Sequence, residues 1–258
     1  MTAAPQFALY PSLRNRAVLV TGGASGIGAA IVASFATQGA RVGFLDLQHD
    51  AAYALIARIA PSRAPAPLFF PCDLTDIAAL QSAVHEAEQQ LGDIHVLVNN
   101  AGNDTRHSLA EVTPEFWDRS MAINLRQQFF MIQAVLPSMR RLGSGSIVNM
   151  SSIAWIIPST NVPVYVAAKA AIVGMTRTLA HELGPSNIRV NCVLPGAVAT
   201  DRQRRLWLTP EYESEILAAQ ALKRLITPEE VARLVLFLAA DDSSAITNQS
   251  YIVDAGWV

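Results

Sequence analysis

The chain has 258 residues, 51% of them hydrophobic, and a formal net charge of −2. That length and apolar content suit one α/β domain with a large buried core. The near-neutral charge gives no electrostatic footprint for nucleic acid or an anionic membrane, and no apolar run reaches membrane-spanning length.

Cys72 and Cys192 are the two cysteines, so no disulfide framework is indicated and both read as small buried residues. The start, Met1–Phe7, has neither a basic nor an apolar leader segment. The expected location is cytoplasmic, and no metal is expected.

The first apolar run, Arg16-Ala17-Val18-Leu19-Val20, fits a strand buried in a parallel sheet. It leads into Thr21-Gly22-Gly23-Ala24-Ser25-Gly26-Ile27-Gly28 and then a helical pattern over 29–36. Such glycines permit a tight turn and let backbone approach a pyrophosphate, which the helix N-terminus stabilises. The spacing is Gly-x-x-x-Gly-x-Gly, but strand, loop and helix come in the order a dinucleotide site requires. The second strand, Arg41–Asp46, ends in an acid eighteen residues after Gly28. A carboxylate there can grip a ribose 2′-hydroxyl and repel a 2′-phosphate, and Leu47-Gln48 supplies no arginine for one. NAD is therefore expected over NADP, although a strand-ending aspartate can also simply cap a turn.

Further along, 52–60 reads as helix and 61–67 as a proline-rich loop. Leu68–Asp73 reads as the third strand, 77–90 as helix, and His95–Asn99 as the fourth strand. One mostly helical stretch is expected over Pro114–Met139, a strand over Ser146–Met150, and a helix over Val164–Leu183. Arg189–Val193 reads as the sixth strand and Tyr251–Asp254 as the last. Strands alternating with helices predict a doubly wound, Rossmann-like parallel sheet with helices on both faces, a single domain over 1–258. Asp46, Asp73, Asn99, Ser152 and Pro195 then all follow strand carboxyl ends, where open α/β sheets bind ligands. The long excursion 200–226 interrupts the rhythm and reads as a substrate lid.

Within the expected helix, Tyr165 and Lys169 are four apart and share a face, with Ser152 thirteen residues before the tyrosine. An unperturbed phenol titrates near about 10 and is a poor base at neutral pH. A neighbouring cation would favour the phenolate and draw its titration down, while Ser152 could bond a substrate hydroxyl or carbonyl. Seventeen of the nineteen basic residues are arginine, and one of the two lysines stands at 169, where a compact ammonium is needed.

Taken together, Thr21-Gly22-x-x-x-Gly26-x-Gly28, Asn99-Asn100-Ala101-Gly102, Asn124, Ser152, Tyr165-x-x-x-Lys169 and Pro195-Gly196 resemble the short-chain dehydrogenase/reductase family from about Leu13 to Val258. That resemblance implies Tyr165 as acid/base, Lys169 as its partner and ribose ligand, Ser152 as substrate polariser, and Asn124 as holder of a proton-relay water. It implies an NAD site made of Gly22, Ser25, Gly26, Ile27, Gly28, Asp46, Leu47, Leu74, Asn100, Ala101, Gly102, Pro195, Gly196 and Val198. Asp73 is expected near adenine, and Thr200 on the nicotinamide carboxamide. A homotetramer is also implied, with the carboxyl tail near a subunit boundary.

A closer resemblance, to NAD-dependent D-xylose 1-dehydrogenases and related aldose 1-dehydrogenases, rests on several further segments. These are Tyr10-Pro11-Ser12-Leu13, Asn103-Asp104-Thr105-Arg106-His107, Trp155, Arg202-Gln203, 207–211 and 251–257. It implies a sugar site drawn from Asn103, Asp104, Arg106, Ala154, Trp155, Arg202 and Trp207. His107 reads equally as an exposed loop residue. Trp207 could stack on a sugar or pack the lid, and the lid arginines could meet an anion or only solvent. Ile153-Ala154-Trp155-Ile156, Val166-Ala167 and Thr105 replace polar residues common in those relatives, which admits a different pentose, a hexose or a deoxysugar as the preferred substrate. The alternatives are a dehydrogenase or reductase for another alcohol, ketone or acyl-carrier substrate, and a cofactor-sensing regulator without catalysis.

Overall fold

The computed structural model describes residues 7–60 and 64–258. The expectations for the chain start before residue 7 and for 61–63 lie outside the described residues.

Strand β1, Ala17–Thr21, is buried along its whole length. It pairs in parallel with β2 (Arg41–Asp46) on one side and β4 (Val96–Asn99) on the other. The described sheet has seven strands in the order β3-β2-β1-β4-β5-β6-β7. Here β3 is Leu68–Pro71, β5 Gly145–Met150, β6 Ile188–Pro195 and β7 Ser250–Val253, all joined in parallel. Order reverses between β1 and β4, which opens a crevice at their carboxyl ends.

The continuous apolar runs follow from cover on both faces. Val18 and Val20 point to a layer that holds Ile31 and Phe35 of helix α1 (Gly26–Thr37) and Val231 and Val235 of α9 (Pro228–Ala239). Ala17 and Leu19 point the other way, onto Leu80 of α3 (Ile77–Leu91) and Met131 and Val135 of α5 (Gln127–Leu142). This period-two split around one strand is what a doubly wound sheet requires. Helix α2, His49–Ile59, begins earlier than its apolar spacing suggested.

The expected single helix over 114–139 is instead α4 (Pro114–Met121), a π-helical turn at Ala122–Arg126, and α5. Asn124 Nδ2 donates to the Ser120 carbonyl at 3.0 Å, competing for the oxygen that an ordinary α-turn would use. The third strand ends at Pro71 rather than Asp73, because Asp73 Oδ1 accepts from the Thr75 amide (2.9 Å) and hydroxyl (2.7 Å) to start a turn. Strand β6 outruns its apolar core at both ends, since β5 and β7 flank it.

Helix α6, Pro163–Leu183, carries Tyr165 and Lys169. The excursion after β6 folds as α7 (Asp201–Leu206) and α8 (Pro210–Ala219). Its two ends are stitched together by a parallel bridge between Val198 and Ile226.

Candidate active site

The nucleotide half of the crevice is made by backbone. Gly22 (φ +64°) and Gly26 (φ +55°) lie in the left-handed region that glycine adopts freely. A Cβ on Gly28 would sit 1.9 Å from the Gly22 carbonyl oxygen, so that position excludes every side chain. Asn100 locks the loop: its Nδ2 donates to the Thr21 and Gly22 carbonyls at 3.1 and 2.9 Å. Thr21 Oγ1 accepts the amides of Asn100 and Ala101 in return. Asp46 is buried, with Oδ2 accepting the Ala24 amide at 2.9 Å and Oδ1 the Gln48 amide at 3.0 Å. The same carboxylate expected to meet a ribose therefore also braces the glycine loop. Ser25 stands at the start of α1 without bonding the helix amides, its Oγ accepting instead from Gln48 Nε2 at 3.2 Å, so the first-turn amides keep their donors for an anion.

A cavity of about 1160 Å³ runs from this loop past Gly102 to Ser152 and Tyr165, and on beneath α7 and α8. It is lined by Gly22, Ser25, Gly26, Ile27, Gly28, Asp46, Leu47, Leu74, Asn100, Ala101, Gly102, Lys169, Pro195, Gly196, Val198 and Thr200. All of them are expected cofactor contacts, and the structure brings them to one cavity. Asp73 does not line the cavity; its carboxylate is turned into the Thr75 turn, while Cys72 and Leu74 on either side face the space. The glycine cradle, the open helix start and the strand-end carboxylate fit a dinucleotide.

In the catalytic half, Lys169 is 3% exposed and its Nζ donates to the Met150 carbonyl at 3.0 Å. That ammonium lies 5.4 Å from the Tyr165 ring centroid. Burial pushes the lysine down to about 8, with the neighbouring Asp104 carboxylate and Cys192 opposing the shift. Burial also raises the Tyr165 phenol well above its ordinary value, and Asp104 adds to that rise. The Ser152 hydrogen bond and the Arg106 charge pull the other way. The expectation of a phenol simply lowered by its lysine is thus corrected: in the protein alone, loss of solvent outweighs the local cations.

Asn124 is fully buried, and its side chain clamps the Asn103 backbone rather than facing the cavity. Its Oδ1 accepts the Asn103 amide (2.8 Å) and its Nδ2 donates to the Asn103 carbonyl (3.0 Å). Gly102 keeps this corner open, since a Cβ there would lie 3.1 Å from Asn124 Oδ1 and 3.2 Å from Lys169 Nζ.

Of the expected sugar contacts, Asn103, Asp104, Arg106, Ala154 and Arg202 line the cavity, whereas Trp155 and Trp207 do not. Trp155 is turned outward, 37% exposed. Trp207 instead lies under the Arg106 guanidinium, 5.4 Å from its ring centroid, as a platform. His107 is buried, not exposed. Its Nδ1 sits 2.9 Å from the Thr105 carbonyl and its Nε2 accepts the Val164 amide at 3.3 Å, a pattern that requires the neutral Nδ1–H tautomer. Sequence reasoning missed Gln203, Ser159, Ile157, Val162 and Tyr212 in the cavity wall. Gln203 carried a signal, as the neighbour of Arg202; Ile157, Ser159 and Val162 sit on a loop without periodicity, and Tyr212 lies in the first turn of α8.

Among the described residues, no cluster of metal-binding side chains occurs and no helix is long and apolar enough to cross a membrane. A family model described as enoyl-(acyl carrier protein) reductase matches residues 22–258. The chain belongs to the short-chain dehydrogenase/reductase family. It is 51% identical to a D-xylose 1-dehydrogenase of Caulobacter vibrioides, over 97% of this chain and 98% of that one. It is 50% identical to a probable galactose dehydrogenase of Rhizobium meliloti, over 96% of each. A solved 3-oxoacyl-[acyl-carrier protein] reductase with bound NAD from Brucella melitensis superposes with a TM-score of 0.89 at 34% identity. That match covers 100% of this chain and 98% of the other. Family membership supports a nicotinamide cofactor for this chain.

Proposed function

We propose that this oxidoreductase is an NAD-dependent aldose 1-dehydrogenase. The observation that carries the reading is the meeting, in one cavity, of the Ser152–Tyr165 pair with a wall of hydrogen-bonding side chains from 103–106 and 202–203. The two half-identical relatives are named for D-xylose and galactose. An aldopyranose presents an anomeric hydroxyl beside its ring oxygen, and such a wall suits its remaining hydroxyls. Tyr165 takes the anomeric proton, and Ser152 orients the hydroxyl. Lys169 holds positive charge beneath the phenol and bonds a ribose. NAD, when bound, supplies the oxidised ring that accepts hydride from C1. The sugar ring stays closed, so the product is the aldonolactone.

Asp46 favours NAD over NADP because its buried carboxylate sits where a 2′-phosphate would bring like charge. Asn124 acts through its grip on Asn103. Asn103, Asp104, Arg106, Ala154 and Arg202 contact the sugar, with Trp207 supporting Arg106. The whole chain works as one dinucleotide-binding catalytic domain in the cytoplasm, with 200–226 as a lid. The exposed Trp117 and Phe129 on the α4–α5 face support a homotetramer.

The test is a panel of unphosphorylated aldoses with NAD and NADP, followed by reduced-nicotinamide absorbance and by NMR of the product. Lactone formation with NAD is expected. The family model's description favours a second reading, reduction of the double bond of an enoyl group held on an acyl carrier. Turnover of such a substrate with every aldose inert would establish that reading instead.

A further inference from the structure

Two segments 98 residues apart in sequence meet over the catalytic tyrosine. Asp104 Oδ1 accepts from Arg202 Nε at 3.3 Å and Nη2 at 3.2 Å, and its Oδ2 accepts from Gln203 Nε2 at 2.6 Å. Arg202 Nη2 also donates to Asn103 Oδ1 at 3.1 Å. One turn further along the lid, Trp207 underlies Arg106. Every lid partner in this set comes from 202–207, and every opposing group from 103–106.

The two sides are not held alike. The 103–106 loop is pinned to the catalytic machinery at both ends, by Asn124 on the Asn103 backbone and by His107 on the Val164 amide beside Tyr165. The lid is closed at its base by the Val198–Ile226 bridge and reaches this corner through side chains. Arg202 and Gln203 are the side chains that bond the Asp104 carboxylate, and both belong to the lid.

We propose that Arg202 and Gln203 arm Tyr165 as a base by taking up the negative charge of Asp104 when the lid docks, leaving Arg106 as the cation of that loop facing the phenol. This makes Asp104 and Arg202 positioning residues for proton abstraction, and it rests on the reading of Tyr165 as the base. The groups around the phenol have consistent signs. Asp104 opposes its ionisation, while Arg106 and the Ser152 hydroxyl favour it. Lys169 lies one turn along α6, bonded to Met150 at the end of β5. Cys192, on β6, is pushed up to about 12 by burial and remains a neutral thiol. His107 is neutral in its bonded tautomer. Asp104 is therefore the anion whose compensation depends on the lid. The pair is partly exposed, with side chains at 20% for Asp104 and 44% for Arg202, so its influence is also reduced by salt.

The experiment is a near-ultraviolet titration of the Tyr165 phenolate in NAD-saturated enzyme without substrate, taken as the difference from Tyr165→Phe. Arg202→Gln should move the midpoint to higher pH by about one pH unit, and Asp104→Asn to lower pH by a similar amount. Arg202→Lys should restore most of the midpoint. In the double variant Arg202→Gln/Asp104→Asn the effect of the arginine should vanish, the non-additivity expected of an interacting pair. The acid limb of kcat/KM should follow the same order. Midpoints unmoved in all variants, with only KM raised, would reduce both residues to sugar contacts and overturn the proposal. Because the titration needs no substrate, it remains decisive if no aldose is oxidised. Full activity in Tyr165→Phe would instead defeat the underlying base assignment.

Discussion

The glycine-loop half of this cavity and the half around Ser152 and Tyr165, proposed to hold nucleotide and substrate respectively, are built on opposite principles. Between β1 and α1 the site is backbone: left-handed glycines, free helix-start amides, and a Gly28 whose missing Cβ leaves room for a carbonyl oxygen. Across Gly102 the site is side chain: Ser152, Tyr165, Lys169, and a loop-to-lid network of Asp104, Arg106, Arg202 and Gln203. A backbone-made site is specified by local sequence and tolerates no added atoms. A side-chain-made site depends on which distant segments meet, and it can be retuned one residue at a time. The family's common cofactor and diverse substrates are consistent with that division.

The comparison predicts its largest effect where the proposed chemistry rests on a single side-chain atom. Tyr165→Phe keeps the ring and removes the hydroxyl. Its kcat/KM should fall by at least about 10⁴-fold, beyond the usual acid/base contribution, while NAD affinity measured by fluorescence stays within a few fold. Near-normal turnover would break the assignment.

Next in size is a stability effect at Lys169. Burial lowers its titration from 10.5 to about 8. Between those values the folded state binds fewer protons than the unfolded one, so stability should rise with pH through that window. Below about pH 8 the cost of holding a buried ammonium is fully present, up to about 3 kcal/mol by linkage. Lys169→Met removes that cost, and Met150 O keeps a donor in Gln128 Nε2 at 3.4 Å. Cofactor-free Lys169→Met should therefore unfold at equal or higher temperature at pH 7, lose the slope above pH 8, and be inactive. A marked destabilisation at pH 7 would show that the lysine pays its way structurally.

Much of this division was legible in the sequence, and the pattern of success follows the same physics. Strand β1, the glycine loop and the Tyr165–Lys169 spacing are local features, set by periodicities of two and about 3.6 residues. The features that escaped are of three kinds. The π-turn at Ala122–Arg126 leaves the surrounding apolar spacing nearly intact, and its cause, Asn124 bonding backward to Ser120, is a side-chain choice. The Asp104–Arg202 pair spans the chain, so neither charge announces its partner. Side-chain direction decided the rest. Asp73 turns to Thr75, Trp207 lies outside the cavity beneath Arg106, and His107 is buried against Phe116 with ring centroids 4.5 Å apart.

Within the nucleotide half, Gly28→Ala tests intolerance directly. The new Cβ would meet a backbone oxygen at 1.9 Å, and backbone cannot swing aside as a flexible side chain can. A loss of about 1–3 kcal/mol of stability is expected, together with failure to quench tryptophan fluorescence on adding NAD. Undiminished NAD binding would show the loop to be more plastic than its geometry indicates.

Asp46 is the exception that sharpens the contrast, a side chain with a fixed task in the backbone-made half. Its Oδ2 holds the Ala24 amide of the glycine loop, and its Oδ1 holds the Gln48 amide at the start of α2. Asp46→Ala therefore removes two things at once: an acceptor for the ribose hydroxyl and a brace for the loop. The two losses separate by cofactor. NAD binding should weaken about tenfold, roughly the 1.4 kcal/mol of one charge-assisted hydrogen bond. NADP binding should change less, because relief from the carboxylate's repulsion offsets the slackened loop. Asp46→Asn keeps one acceptor, enough for the Ala24 amide, but turns an NH2 towards the Gln48 amide and removes the charge, so it should retain more NAD affinity than Asp46→Ala and narrow the preference further. Parallel titrations of both cofactors against the three proteins decide the matter. Equal losses for NAD and NADP would mean that Asp46 serves the loop alone and that cofactor preference resides elsewhere in the cavity wall.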